Sequence, residues 1–164
     1  MAERPAREYV TGDLTRALRI ASWVPVVAAG VLLAVRYPGL PDTIPTHFGV
    51  GGAPNDWGPK WTTLVLFGVF LAMMAGVDAL SRRPRLFNYH REVTSENAQR
   101  LYREGERLMV GLQFALGFTT LGLVLLMVGE DAGNGVLWAG IGLLVATTIV
   151  GIVRLVRAGR PASP

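Results

Sequence analysis

The chain has 164 residues, of which 51% are hydrophobic, and it carries a formal charge of +4. Its apolar residues gather in four long runs, and so short a chain has no residues left for the polar shell that four buried helices of a soluble protein would need. The lack of cysteine excludes disulfides as well as palmitoyl and lipoprotein anchors.

The four runs predict an all-α integral membrane protein with four transmembrane helices. They lie at 17–35, 62–80, 108–128 and 136–153, and about 20 helical residues cross a hydrocarbon core of ~30 Å. Barrel strands would alternate apolar with polar residues, which these runs do not. The first run follows a charged stretch and lacks a small-residue cleavage motif, so we expect an uncleaved span.

The basic residues predict the orientation. Fourteen of the sixteen lie at or before the start of span one, between spans two and three, or after span four, which leaves only Arg36 and Lys60 for the other two connections. The positive-inside rule then gives an N-in/C-in topology, with both termini in the cytoplasm. The cytoplasmic parts are a tail at 1–16, a basic segment at 81–107 and a tail at 154–164; the outer parts are a loop at 36–61 and a short turn at 129–135. The basic charge follows from this bias, and no nucleic-acid partner is expected.

The basic segment between spans two and three contains a predicted amphipathic inner helix that continues into span three. Thr94 or Ser95 can cap its start, and Glu96 suits its first turn. Apolar or small residues then recur at helical spacing: Ala98, Leu101, Tyr102, Gly105, Leu108 and Met109. This helix either lies on the inner membrane surface or against its neighbours, or offers 94–107 as a docking surface for a cytoplasmic protein.

Small residues are spaced four apart in two of the spans. Gly68, Ala72 and Gly76 follow one another in span two, and span four has the pairs Gly142 with Ala146 and Thr147 with Gly151. Such spacing lets helices approach closely. It predicts a compact bundle or a face for a homo-oligomer.

The outer loop is rich in proline, glycine and tryptophan, and we expect it to be ordered. Flexible linkers are rich in glycine and serine and poor in aromatic residues, whereas Trp57 and Phe48 are placed to bury against the helix ends. The bilayer is one expected partner. An extracellular peptide or lipid is another, and its candidate ligand-binding residues are Asp42, His47, Asp56, Trp57 and Lys60.

The polar residues favour binding over catalysis. Zinc sites want three or four ligands, mainly Cys and His, and His47 is one of two histidines in the chain. Thr43 and Thr46 flank it without forming a known triad spacing. Asp78, the single acid within a predicted span, is expected to pair with Arg82. We therefore predict no catalytic residues, no metal and no cofactor; a membrane-surface enzyme with a site around His47 and a structural subunit of a larger complex are the alternatives.

The outer loop resembles that of a known family. Its residues Leu40-Pro41-Asp42-x-Ile44-Pro45-x-His47-Phe48, Gly52-x-Pro54 and Trp57-Gly58-x-Lys60 are similar to those of bacterial membrane proteins of domain-of-unknown-function family 1648, which include the SdpI-type immunity proteins. The segment after span two, with Thr94-x-Glu96-Asn97-Ala98, resembles the corresponding segment of many members. The resemblance covers spans one to three and implies a non-enzymatic protein of immunity or envelope-signalling type in the bacterial cytoplasmic (inner) membrane.

The sequence also departs from that family. Gly49 stands where members often carry Asn, and Asn55-Asp56 stands where Pro-Asp-Gly is usual. The SdpI-type proteins are longer, with more spans than the four seen here. A partner protein is one way in which further spans could be supplied.

Overall fold

The computed structural model describes residues 4–160. The helices in this part of the chain are α1 (Asp13–Ala21), α2 (Trp23–Arg36), α3 (Trp61–Ser81), α4 (Ala98–Met127) and α5 (Ala132–Ala158), with short 3₁₀ turns at Tyr37–Gly39 and Pro84–Leu86. Four helical stretches are long and apolar enough to cross a membrane: Asp13–Gly39, Trp61–Ser81, Ala98–Met127 and Ala132–Ala158. This confirms the expected mostly helical, multi-pass architecture at the level of length and composition.

The observed helices extend beyond the predicted spans. The span predicted at 108–128 is the second part of α4, and that predicted at 136–153 lies within α5. Charged flanks stay helical because arginine and glutamate are good helix formers. The tail predicted at 154–164 is therefore helical as far as Ala158, and 161–164 lie outside the described residues.

A proline divides the first spanning stretch into α1 and α2. Pro25 has no N–H for the carbonyl of Ala21, and its ring crowds that carbonyl. The helix accordingly breaks at Ser22, whose hydroxyl donates to the Arg19 carbonyl over 2.7 Å. The break packs on α4 at Gly117, where an added Cβ would lie 2.6 Å from the Ser22 carbonyl oxygen.

Helix α4 is the centre of the bundle. It contacts α1, α2, α3 and α5, and half of its most apolar stretch is buried, against 11% for the corresponding stretches of α3 and α5. The two outer helices therefore present apolar surface outward, as helices facing lipid do. The side chains that hold the architecture together are those on α4.

Glycines bring α4 and α5 together as an antiparallel pair. An added Cβ on Gly122 would lie 2.4 Å from the Leu137 nitrogen, one on Gly140 would lie 2.6 Å from the Thr119 nitrogen, and one on Gly151 would meet Leu108 at 2.4 Å. Along these contacts the residue numbers fall on α4 as they rise on α5, so the two helices are antiparallel. The short connection between them predicts this arrangement.

Most of the small residues singled out in the sequence do not make these close approaches. An added Cβ on Gly68, Gly76 or Gly142 would meet no atom within 4 Å. These glycines lie on the outward faces of α3 and α5, because both helices contact the bundle along one narrow side only. Of the predicted small residues, Gly151 packs against Leu108 and Thr147 against Gly111; the other close approaches of α4 and α5 use glycines outside the predicted pattern.

The all-α prediction missed a β-hairpin. Strand β1 (Thr43–Phe48) pairs antiparallel with β2 (Pro54–Pro59), with Thr43 opposite Pro59 and an irregularity around His47. Prolines usually argue against a strand, but a two-stranded ribbon consists only of edges, where a missing N–H is tolerated. Gly52, at φ +81°, supplies the turn that joins the strands.

Helix α4 begins at Ala98, later than the predicted caps at Thr94 and Ser95. The preceding residues form a local turn in which the Thr94 N–H donates to Asn97 Oδ1 over 2.9 Å, and Asn97 Nδ2 donates to the Glu92 carbonyl over 3.0 Å. Such side-chain bonds offer the backbone an alternative to the helix. The predicted continuity with span three holds from Ala98 onward.

The close contact of α4 with α5 gives a test with an internal control. Gly140→Ala places a methyl group against the backbone of Thr119 and should destabilise the protein by about 1–3 kcal/mol through overpacking. Gly142→Ala, two residues further along the same helix, meets open space and should not destabilise it. Thermal unfolding in detergent measures both; equal melting temperatures for the two variants would contradict this helix packing.

Candidate functional site

The base of the hairpin is closed by two of the predicted ligand residues. Lys60 Nζ lies 3.2 Å from Asp42 Oδ1, and the Lys60 N–H donates to the Asp42 carbonyl over 2.9 Å. The ammonium also donates to the Leu40 carbonyl and sits 5.8 Å from the centre of the Tyr37 ring. Because Asp42 is exposed, the ion pair itself contributes little stability, but the set of contacts fixes where the strands begin.

The middle of the hairpin carries His47 and Asp56 on opposing positions. His47 Nδ1 is hydrogen-bonded to Asn55 Oδ1, and Asp56 Oδ1 accepts the N–H of Trp57 over 2.8 Å. Among the contacts of residues 4–160, none joins His47 to a carboxylate or to a threonine hydroxyl. The five predicted residues therefore fall into a pair at the base and a group of three in the middle.

Trp57 is more exposed than the sequence predicts. Its side chain is 57% exposed, and the residue buried beneath the hairpin is Ile44 on β1, at 1%. The reason is geometric: β1 lies against α4, while β2 is an edge strand with no second layer to cover it. Phe48 is partly buried, in line with its predicted position.

The tip of the hairpin is attached to the start of α5. Trp138 Nε1 donates to the Val50 carbonyl over 3.1 Å. Gly52 lies so close to Asn134 that an added Cβ would be 2.8 Å from Asn134 Cγ. The hairpin is thus held at its base and at its tip, and its exposed middle has a fixed backbone.

A different polar site lies at the opposite end of the bundle, where the N-terminal segment crosses α4. The Tyr102 hydroxyl donates to the Pro5 carbonyl over 3.1 Å, and Gln99 Nε2 donates to the Ala6 carbonyl over 2.8 Å. The sequence predicts 1–16 as a tail, either mobile or lying on the surface. Residues 4–12 instead run as an extended strap fixed on α4, and 1–3 lie outside the described residues.

The strap and the segment after α3 cover the apolar face of α4 that was a candidate docking surface within 94–107. Ala98, Leu101 and Tyr102 on this face are fully buried. An added Cβ on Gly105 would meet the Tyr89 hydroxyl at 2.8 Å. This face is therefore occupied by the chain's own residues, which leaves the exposed polar side of the segment for any partner.

Glu106 is the buried charge beneath the strap. Its side chain is only 2% exposed, and four groups donate to its carboxylate: Tyr9 Oη over 2.7 Å, Thr11 Oγ1 over 2.7 Å, Arg19 Nη2 over 2.6 Å and Arg7 Nη2 over 3.1 Å. Burial, reinforced by the bond to Glu106, raises the pKa of the Tyr9 hydroxyl well above its usual value. Tyr9 therefore stays protonated and donates at physiological pH.

Asp78 extends this cluster to α3. It forms the predicted pair with Arg82 over 3.0 Å, and its Oδ1 also lies 3.7 Å from Arg19 Nε. Arg19 thus bridges two carboxylates on different helices. We call Arg7, Tyr9, Thr11, Arg19, Asp78 and Glu106 the latch cluster, because together they join the strap, α1, α3 and α4.

The sequence interpretation named Asp78 and missed Glu106. The position of Glu106 could have indicated its role: it lies one turn after Tyr102 and next to Gly105, inside the apolar stripe of the amphipathic helix. A charge on that face needs partners that the stripe itself does not supply. Within the described part of the chain, no three His, Asp or Glu side chains come together as a metal site would require.

Comparison with known proteins supports the resemblance at the hairpin. A family model described as a domain of unknown function, DUF1648, matches residues 25–72, which run from Pro25 through the whole hairpin into α3. An uncharacterized protein of the archaeon Archaeoglobus fulgidus is 34% identical over 58 residues, 35% of this chain and 32% of that protein. The chain thus matches about a third of that relative's length, and no solved structure matches it.

The latch cluster gives the second test. Glu106→Gln removes the charge that faces two arginines, and breaking a buried pair in this way should destabilise the protein by about 3–5 kcal/mol. Glu92→Gln, an exposed change on the same side of the bundle, is the matched control and should have little effect. Melting temperature and the rate of tryptic cleavage after Arg7 report the two effects; unchanged cleavage in Glu106→Gln would contradict the latching role.

Proposed function

We propose that the protein is a non-enzymatic membrane protein of immunity or envelope-signalling type, in which the hairpin recognises a peptide or lipid outside the cell. The observation that carries this is a hairpin held at both ends whose middle exposes Trp57, His47 and Asp56 together. A backbone that is already fixed loses little entropy on binding. An exposed tryptophan offers a large contact area with one polar edge.

Two further points support recognition of a ligand by the hairpin. The segment that the family model matches contains all five predicted ligand residues. Strand β2 also has one free edge, and an extended peptide binds such an edge by adding a strand. Pro54 and Pro59 stand at its two ends, so the stretch of backbone available for that pairing is short and centred on Asp56 and Trp57.

The contacts favour recognition over the enzymatic alternative. A role for His47 as the base of a nucleophile calls for a hydroxyl within hydrogen-bond distance, whereas among the described residues its side-chain bond is to the Asn55 amide oxygen. Asp42 and Lys60 are engaged with each other at the base. No observation specifically favours a structural subunit, so we retain the recognition role.

The proposal includes an orientation in the cytoplasmic membrane with the hairpin outside and both termini inside. The imbalance of fourteen basic residues against two supports it.

Because the chain has no cysteine, single introduced cysteines can test this orientation. Cysteines at Gly51 and Gly135, where an added Cβ meets nothing within 4 Å, should react with an impermeant maleimide in intact cells, and one at Ser95 should not. Labelling confined to Ser95 would invert the orientation.

Recognition by the hairpin predicts a separation of function from stability. Trp57→Ala and His47→Ala should each abolish protection when cells lacking the gene are complemented and challenged with a panel of secreted peptides. Neither change should lower the free energy of unfolding by more than about 1 kcal/mol, because both side chains are largely exposed. Protection is scored as survival and stability as melting temperature.

Trp61→Ala is the matched control for this experiment. Trp61 is 56% exposed, nearly the same as Trp57, but it lies at the start of α3, beyond the hairpin. It should leave protection intact. Unchanged sensitivity of the deletion strain across the whole panel would contradict the immunity role, and equal loss in Trp57→Ala and Trp61→Ala would contradict recognition by the hairpin.

A further inference from the structure

A cavity lined by arginines lies beside the latch cluster. It has a volume of about 520 Å³, and five arginines line it together with Pro84 and Leu86: Arg4, Arg7, Arg82, Arg83 and Arg85. They come from the strap and from the connection after α3, which are far apart in the sequence. The fold therefore brings these charges together, and they are not simply neighbours along one basic stretch.

Reciprocal hydrogen bonds fix two of these arginines next to each other. Arg4 Nη1 donates to the carbonyls of Arg85 and Phe87, both over 2.7 Å, and Arg85 Nη2 donates to the Arg4 carbonyl over 2.6 Å. Both guanidinium groups thus bond to neutral carbonyls and keep their full charge. Like charges held together repel one another unless an anion lies between them.

Within residues 4–160, too few carboxylates lie against this cavity to balance its arginines. Among the described residues, the acids in contact with its arginines are Asp78 on Arg82 and Glu106 on Arg7. Arg19 contacts both acids as well. Arg83 forms no side-chain hydrogen bond or ion pair within residues 4–160. Net positive charge is therefore left at the cavity, and guanidinium groups bind phosphate oxygens well.

A second cavity continues the first and has an apolar side. Its volume is about 600 Å³, and it shares Arg7 and Arg82 with the arginine cavity. Its apolar wall consists of Val10, Ile20 and Trp23, and Ile20 is 67% exposed. Ile20 lies in the last turn of α1, just before the apolar surface of α2, so the cationic and apolar walls adjoin at the start of the apolar part of this span.

We propose that these two cavities bind one anionic phospholipid. Its phosphate lies among Arg4, Arg82, Arg83 and Arg85, and an acyl chain runs past Ile20 and Trp23 along the exposed face of α2. An amphipathic ligand fits the pair of walls better than a free phosphate, which would use the cationic wall alone. Binding would stabilise the strap, since Arg4 and Arg7 belong to it.

The test compares lipids, an inorganic anion and two arginine variants. Purified full-length protein is titrated with phosphatidylglycerol, with phosphatidylcholine and with inorganic phosphate, and bound lipid is counted by native mass spectrometry while melting temperature is followed in parallel. Phosphatidylglycerol should be retained and should raise the melting temperature, whereas phosphatidylcholine and phosphate should not. Arg83→Gln should weaken phosphatidylglycerol binding about fivefold, since one arginine near a headgroup contributes about that much.

Arg157→Gln is the matched control, because Arg157 is exposed at the same end of the bundle but does not line the cavity. It should bind phosphatidylglycerol as the unmodified chain does. Neither arginine makes a side-chain bond in the described structure, so both variants should fold. Equal retention of the two lipids, equal weakening by the two variants, or stabilisation by phosphate equal to that by phosphatidylglycerol would each overturn the assignment.

Discussion

The structure depends on one buried carboxylate. Glu106 lies on α4, the helix that every other helix contacts, and it receives hydrogen bonds from the strap and from Arg19 on α1. A charge in such a position is costly unless every lone pair is used. The four donors meet that requirement only when the strap is in place and α1 has the correct rotation, so one residue links the positions of three separate segments.

The two ends of the bundle are built on different principles. The hairpin end relies on backbone geometry: paired strands, a glycine turn and a tryptophan that donates to a carbonyl. The opposite end relies on charge, with the latch cluster and the arginine cavity side by side. The ion pair of Asp42 and Lys60 at the hairpin end is exposed and contributes little stability, whereas Glu106 in the latch cluster is buried and depends on its charged partners.

The spans could be predicted from the sequence because the bilayer imposes their length and composition. The pair formed by Asp78 and Arg82 could be predicted because it is local, four residues apart on one helix. The hairpin was not predicted because its prolines argue against strands. That argument applies to strands in the interior of a sheet, and this ribbon has only edge strands. The role of Glu106 could not be predicted because its partners lie 87 to 99 residues away in the sequence. No local sequence pattern indicates which face of α4 the strap crosses.

The junction between β2 and α3 has a mechanical consequence. Strand β2 ends at Pro59 and α3 begins at Trp61, so Lys60 alone separates them, and that residue is itself bonded to the start of the hairpin. No flexible linker lies between β2 and α3 that could absorb a tilt of the strand. A helix of 21 residues is a stiff rod about 30 Å long, and its far end carries Asp78. A tilt of the hairpin would therefore tilt α3 as well, and would change the distance between Asp78 and Arg19 at the other end of that helix.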